Sequence, residues 1–430
     1  MKRILYILAL LIGLQGCEKE GFDYAIYQPQ AEDVSSLYFS TGSPTLIADG
    51  KASLQFVLET YRTIQIKDAA GQLKDTSMFM DYRALPESAV QIYVDEQRIS
   101  GMEYSTTDVS KTSISCYAQI GNIKSEVKEV AIRQPKDVGA KRYVDVVFHV
   151  LELSPTDQLY DPLTYQEVTP KQLNDAVSYA NTIFSNKVGK DPNGGSANIE
   201  FRLATKNVSG ATLAIPGYNK IIYDMTWKNS SAATAATLPY NLTHFTNRIN
   251  ATVAYQWDKS RFLNIYVIPS SPNNSIGEHR AAYQIVPVGQ TAIAGIDKIV
   301  TSETEVPTTD FYTNYGLGIH RSVFFPDPSR KIEIASYFAR YYGLYSTNST
   351  GTSVNDYVTD TRKYLTGTTQ TANVIGGLLK VGIDGEKFLA NNAMDDIRYA
   401  SLRNSLTQGQ VDRIRLVMER SPVRKAWSLQ

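Results

Sequence analysis

Residues Val144-Asp145-Val146-Val147-Phe148-His149-Val150 leave few folds open to this chain. A strand that is apolar on both faces has no side to show to water, so it belongs in the middle of a covered, mostly parallel sheet. The next pattern supplies a cover. Thr169-Pro170-Lys171-Gln172 opens a helix, with Thr as N-cap, Pro at the first helical position and Gln at the third. Leu173, Ala176, Val177, Ala180, Ile183 and Phe184 then share one face at helical spacing. Further buried strands are expected over 197–203 and over 262–268, the latter ended by Pro269. A second helix is expected near 241–257, with Phe245, Ile249 and Val253 stacked four apart. From residue 142 onward the chain therefore reads as α/β (α+β), without internal repeats.

The part before it differs. Residues 53–58, 89–94, 101–104, 113–118 and 127–132 are short β-prone runs separated by turn residues such as Ala48-Asp49-Gly50. Several short strands in about 100 residues suggest an all-β immunoglobulin-like sandwich over 35–137. Arg133 to Arg142, with Pro135 and Gly139, reads as a linker.

At the start, Met1-Lys2-Arg3 is basic and Ile4 to Leu14 is apolar, too short to span a bilayer and suited to a secretory signal. Leu14-Gln15-Gly16-Cys17 resembles a bacterial lipobox. That resemblance implies a signal peptide over 1–16, lipidation of Cys17, a polar tether over 17–34, and membrane anchoring through the lipid. Glu18-Lys19-Glu20 resembles the acidic surface-export signals of Bacteroides-type lipoproteins. The expected location is the bacterial outer membrane, periplasmic or surface-exposed. Cys116 is then alone and is expected to be a small buried residue. Lys plus Arg equal Asp plus Glu at 43 each, so no basic excess holds a phosphate backbone and nucleic acid is not an expected partner.

Ile334 to Ser346 reads as a helix closed by Gly343. Its frame Ser336-Tyr337-x-x-Arg340-x-x-Gly343-x-x-Ser346 has the spacing of the metzincin zinc motif H-E-x-x-H-x-x-G-x-x-H. Asn355-Asp356-Tyr357-Val358-Thr359-Asp360-Thr361, then Asn391-Asn392-Ala393-Met394-Asp395-Asp396, then Leu406 to Arg415 follow in order. Together with Val146 to Val150, these segments resemble the pappalysin-like zinc metalloproteinase lipoproteins of Bacteroides-type bacteria. The resemblance covers roughly 142–427 and implies a metzincin-like zincin domain over 142–430, with Met394 in the Met-turn. It also implies a zinc ion held by two His on one helix face and a third beyond the Gly, with a Glu as general base. Here those positions are Ser336, Arg340, Ser346 and Tyr337. A hydroxyl is a poor zinc ligand beside imidazole, a phenol with a pKa of about 10 is no base near neutrality, and a guanidinium repels a cation. No cofactor is expected, and no catalytic residue.

The expected function is a membrane-anchored pseudopeptidase that binds a peptide or protein through a cleft for which Arg340, Tyr337, His279 and His320 are the candidate residues. Arg340 either meets a ligand carboxylate or pairs internally with Glu333, Asp356, Asp360, Asp395 or Asp396. His149 is expected in the core. One alternative is an active zinc metalloendopeptidase with a relocated site, for which His279 and His320, with Glu333 or Asp360, are the candidate ligands. A metal-free hydrolase using Ser336 or Ser346 as nucleophile is another. Adhesin-type binding through the immunoglobulin-like region is a third.

Overall fold

A computed structural model describes residues 27–157, 160–163, 165–223, 247–249, 251–269, 283–307, 316–366 and 377–429. By contact the chain divides into two compact units. One comprises Met1–Leu37, Glu59–Gln91 and Gln119–Lys124; the other comprises Tyr38–Leu58, Ile92–Ala118 and Ser125–Gln430.

The first unit centres on an antiparallel hairpin, in register from Thr60 opposite Met80 to Lys67 opposite Leu73. Its turn is held by the Asp68 carboxylate, which accepts from the amides of Ala70 and Gln72, and Gly71 there takes φ +78°. Phe79 and Leu73 stay more than half exposed.

In the second unit, β1 (Thr45–Ile47), β2 (Ser113–Ile120, as far as Ala118) and β3 (Lys128–Arg133) come from the β-rich part of the sequence. The β3 strand runs parallel to β1 and antiparallel to β2. Cys116 is fully buried on β2. These strands are bound into the rest of the unit. The Ile47 amide donates to the Pro192 carbonyl at 2.8 Å, and the Thr45 hydroxyl donates to Asn193 Oδ1 at 2.6 Å.

The larger sheet is built on β4 (Arg142–Leu153), the apolar strand that the sequence singles out. Its first half pairs with β5 (Ile199–Leu203) and its second half, on the same edge, with β6 (Tyr218–Tyr223). On the other edge lie β7 (Phe262–Ile268) and then β8 (Gly316–His320). Every pairing in this sheet is parallel. Gly316 faces Tyr266 so closely that a Cβ would stand 2.6 Å from the ring, which explains why the strand starts with glycine.

Residues 144, 146, 148 and 150 of β4 face one core, and Leu151 and Leu153 face another. The first core is covered by α1 (Pro170–Phe184), α2 (Ala335–Tyr341) and α3 (Gln408–Arg420). The α1 helix has the expected capping box, and its buried residues are the six expected apolar ones. Burying Leu173, Ile183 and Phe184 contributes about 1.5–3 kcal/mol each. Phe201 of β5 ties the layers together, 4.9 Å from Phe184 and 4.3 Å from Phe338 between ring centroids.

Two expectations need correction. The strand expected over 53–58 breaks into Leu54–Gln55 and Val57–Lys67. Within the helix expected near 241–257, residues 247–249 and 251 are helical as expected, Val253–Tyr255 form a 3-10 turn instead, and 241–246, Phe245 included, lie outside the described residues.

Candidate functional site

The α2 helix is short. It begins after Ile334, ends at Tyr341, and the chain reverses at Gly343 with φ +86°. A Cβ there would sit 3.0 Å from the Val417 side chain of α3, so the site demands glycine both for its backbone and for its space. The Gly343 carbonyl accepts a 2.7 Å bond from Arg413 Nε. Phe338, Ala339 and Tyr342 face the core, while Tyr337 and Arg340 are half-buried on the other side.

Three of the four motif positions fall in two hydrogen-bonded groups. Ser336 donates from its hydroxyl to Glu333 Oε2 at 2.9 Å and from its amide to Oε1 at 2.8 Å. Arg403 donates to the same carboxylate at 3.0 Å. Burial pushes the Glu333 carboxyl up, and Arg403 and the two Ser336 bonds pull it back. The second group joins the second and third ligand positions: Arg340 Nη2 donates to Ser346 Oγ at 3.0 Å. Tyr337 packs against the edge of the core, and burial, followed by the Glu333 charge, raises its phenol above the ordinary value.

Four of the five carboxylates offered by sequence as partners for Arg340 have engagements with other residues. Glu333 goes to Arg403. Asp356 accepts from the Thr361 hydroxyl at 2.6 Å and pairs with Lys363 at 3.1 Å. Asp360 accepts from the Thr407 hydroxyl at 2.7 Å and the Gly409 amide at 2.9 Å, fastening the start of α3. Asp395 accepts from the Thr347 hydroxyl and the Asn392 amide. Arg340 itself meets the Ser346 hydroxyl. Beside it lies a cavity of about 380 Å³, with Tyr345, Ser346, Asn348, Ser349 and Asn355 among its lining residues.

Met394 is buried in the core below α2. Its turn is tight: the Met394 amide donates to Asn392 Oδ1 at 3.0 Å, and the Met394 carbonyl accepts from Thr347. The α3 helix opens with the expected box, Thr407 with Gln410.

His149 is a core residue. Its Nε2 lies 2.9 Å from Asn264 Oδ1 and its Nδ1 2.8 Å from the Asn219 amide nitrogen, and it stacks on Tyr266. Burial lowers its pKa to about 4, so the ring stays neutral. His320 ends β8, and its Nδ1 accepts from the Ser322 amide at 3.0 Å. His279 and Cys17 lie outside the described residues. Glu333 and Asp360, its proposed co-ligands, are bound to different partners.

Zinc, which the resemblance implies, does not fit these residues. The hydroxyl of Ser336 is committed to a carboxylate, and the second ligand position carries a guanidinium bonded to the third. Among the described residues no group of three His, Cys, Asp or Glu side chains is arranged to hold a metal ion.

Sequence reasoning missed Arg403 and Thr347. Each sits in a polar stretch without periodicity. The signal available was chemical: a buried carboxylate such as Glu333 needs a cation.

No family model matches the chain. No curated protein matches it. Among solved structures it is similar to mature mirolysin of Tannerella forsythia in complex with a cleaved peptide, at 18% identity and a TM-score of 0.43, covering 67% of this chain and 96% of that one. A variant of Tannerella forsythia promirolysin gives 17% identity and a TM-score of 0.40, covering 67% and 84%. Mirolysin in complex with compound 9 gives 19% identity and a TM-score of 0.40, covering 64% and 91%.

Proposed function

We propose that the chain is a lipid-anchored protein of the outer membrane whose metallopeptidase-like domain binds peptide without hydrolysing it. The observation that supports this most is the Arg340 to Ser346 bond. It unites the two residues at the second and third ligand positions of the motif, and it fills that place with a permanent positive charge. Without a metal there is no Lewis acid and no lowered water pKa. Tyr337, with its raised pKa, does not replace the missing base. The anchor on Cys17 and an immunoglobulin-like region over 35–137 belong to the same reading.

The test is metal content and proteolysis together. The purified full chain is incubated with zinc, desalted and measured by mass spectrometry, then assayed on a quenched-fluorescent peptide library. The expected result is zinc far below one equivalent and no cleavage. One tightly held equivalent with zinc-dependent cleavage that Arg340→Ala leaves intact would overturn the proposal.

A further inference from the structure

We infer that Arg330 and Arg398, stacked on the exposed Tyr399, form a docking surface for an acidic segment of the bound peptide or protein, an inference that rests on the peptide-binding reading above. The guanidinium carbon of Arg330 lies 4.1 Å from the centre of the Tyr399 ring, and that of Arg398 lies 5.6 Å from it. Both arginines are exposed, as are Tyr399 and Lys331. Among the described residues neither arginine forms an ion pair. Asp327, the acidic residue nearest Arg330 in the chain, accepts from the Ser329 hydroxyl at 2.6 Å and the Ser329 amide at 3.0 Å. Those two bonds hold its carboxyl below the ordinary value, and the Arg330 charge is the smallest of the influences on it. The surface therefore presents an excess of positive charge, which favours an anionic partner.

The backbone that carries this stack is fastened on both sides. Ile397 is buried, and the Tyr179 hydroxyl of α1 donates to the Ser401 carbonyl at 2.8 Å. Ile332 is buried, and the Arg330 amide donates to the Asp327 carbonyl at 2.8 Å. The bond from Arg403 to Glu333 joins the two segments at 3.0 Å. A guanidinium lying over an aromatic ring has given up freedom before a ligand arrives, so less is lost on binding. Stacking uses its face and leaves its N–H edge, the fork that grips a carboxylate by two parallel bonds.

Spacing and charge number select the occupant. Sharing one ring keeps the two guanidinium carbons within about 10 Å of each other. An extended chain rises about 3.3 Å per residue and turns alternate side chains to one side, so carboxylates two residues apart stand about 7 Å apart and can meet both arginines together. Arg330, Lys331 and Arg398 are fewer than the roughly four to eight clustered basic residues that an anionic lipid surface selects. They do not form the long basic stripe that follows a phosphate backbone either. An acidic peptide segment matches them. Its path is short as well: Arg330 directly precedes α2 in the chain, and the Glu333 bond brings the segment of Arg398 to the same place.

The experiment is fluorescence anisotropy with the full chain and two pools of short, labelled, amidated peptides. In one pool each random, otherwise uncharged peptide carries two Glu residues two positions apart. In the other both are Gln. The expected result at low salt is that the acidic pool binds about tenfold or more tightly, the ratio supplied by a charge-assisted pair. The preference should shrink as salt rises, because both arginines are exposed. Arg330→Gln and Arg398→Gln should each remove most of it. Tyr399→Leu keeps both charges without the ring that orders them and should reduce the preference about two- to fivefold. Lys67→Gln, in the hairpin of the first unit, removes the same charge elsewhere and should leave the preference unchanged. All four positions are exposed, so thermal midpoints should stay level and separate a binding defect from a folding defect. Three results would each sink the acidic-segment inference while peptide binding stands. The pools bind alike; the double variant Arg330→Gln with Arg398→Gln keeps the preference; or phosphatidylglycerol vesicles displace the acidic pool where phosphatidylcholine vesicles do not, which would make a membrane the occupant. If neither pool binds, both readings fail.

Discussion

Asp395→Asn isolates one buried ionisation. The Asp395 side chain lies in the turn over 391–396 under α2, accepting from the Thr347 hydroxyl and, at 2.8 Å, from the Asn392 amide. Burial pushes its carboxyl from the ordinary 3.8 to about 6, against the pull of those two bonds and of Lys380 and Arg403. Between those values the folded chain keeps a proton that the unfolded chain has released. Stability contributed by this group therefore falls as pH rises through about 4 to 6. A gap of roughly two units corresponds to about 3 kcal/mol, fully lost above the folded value. Asparagine cannot ionise, but it offers one oxygen to two donors, so it costs about 1–3 kcal/mol at every pH. The variant should be the less stable protein near about pH 4, and the deficit should shrink by about 3 kcal/mol by about pH 7. Urea midpoints of both proteins across that range measure this, and their difference removes the other titrating groups common to both. A deficit that stays constant with pH would show that Asp395 ionises as an ordinary carboxylate, and the reasoning would be wrong.

Two further outcomes follow from the same geometry. Gly343→Ala forces a side chain into φ +86° and against Val417, and should lower stability by about 1–2 kcal/mol, read as a drop in the thermal midpoint. Arg403→Met leaves the Glu333 carboxylate buried with only the neutral donors of Ser336 and Ala335 and should cost about 3 kcal/mol, whereas adding Glu333→Gln to it should restore most of the loss, a coupling that chemical denaturation of the single and double variants detects.

Much of this architecture is written in local pattern. The run around Phe148 could only be an inner strand, and Thr169 with Gln172 and Thr407 with Gln410 mark helix starts because a side chain must answer open amides there. Gly343 was legible for the same reason, since a helix end needs a left-handed residue. The partners of Arg340 and Glu333 were not. Which carboxylate meets which cation depends on long-range packing, and Arg403 lies 70 residues from Glu333. The Leu73–Met80 strand escaped notice because it is exposed along almost all its length and so carries no apolar alternation. Asn264 escaped too: a polar residue within a buried strand reads as noise until its amide is seen closing on His149 and Trp257.

The bond between Thr45 and Asn193 also sets a timetable. It spans 148 residues, and a ribosome adding about 5–20 residues each second needs roughly 7–30 s to make the second partner after the first. During the first part of that interval, until β3 has been made, β1 has neither of the partners on which it finds its hydrogen bonds, β3 and Pro192. The emerging chain carries an open strand edge for longer than most folding steps last, and an unpaired edge is a template for the wrong neighbour. Production of the soluble protein should therefore respond to the rate of elongation and to chaperone supply, through a delay fixed by nothing more than the distance between two residues along the chain.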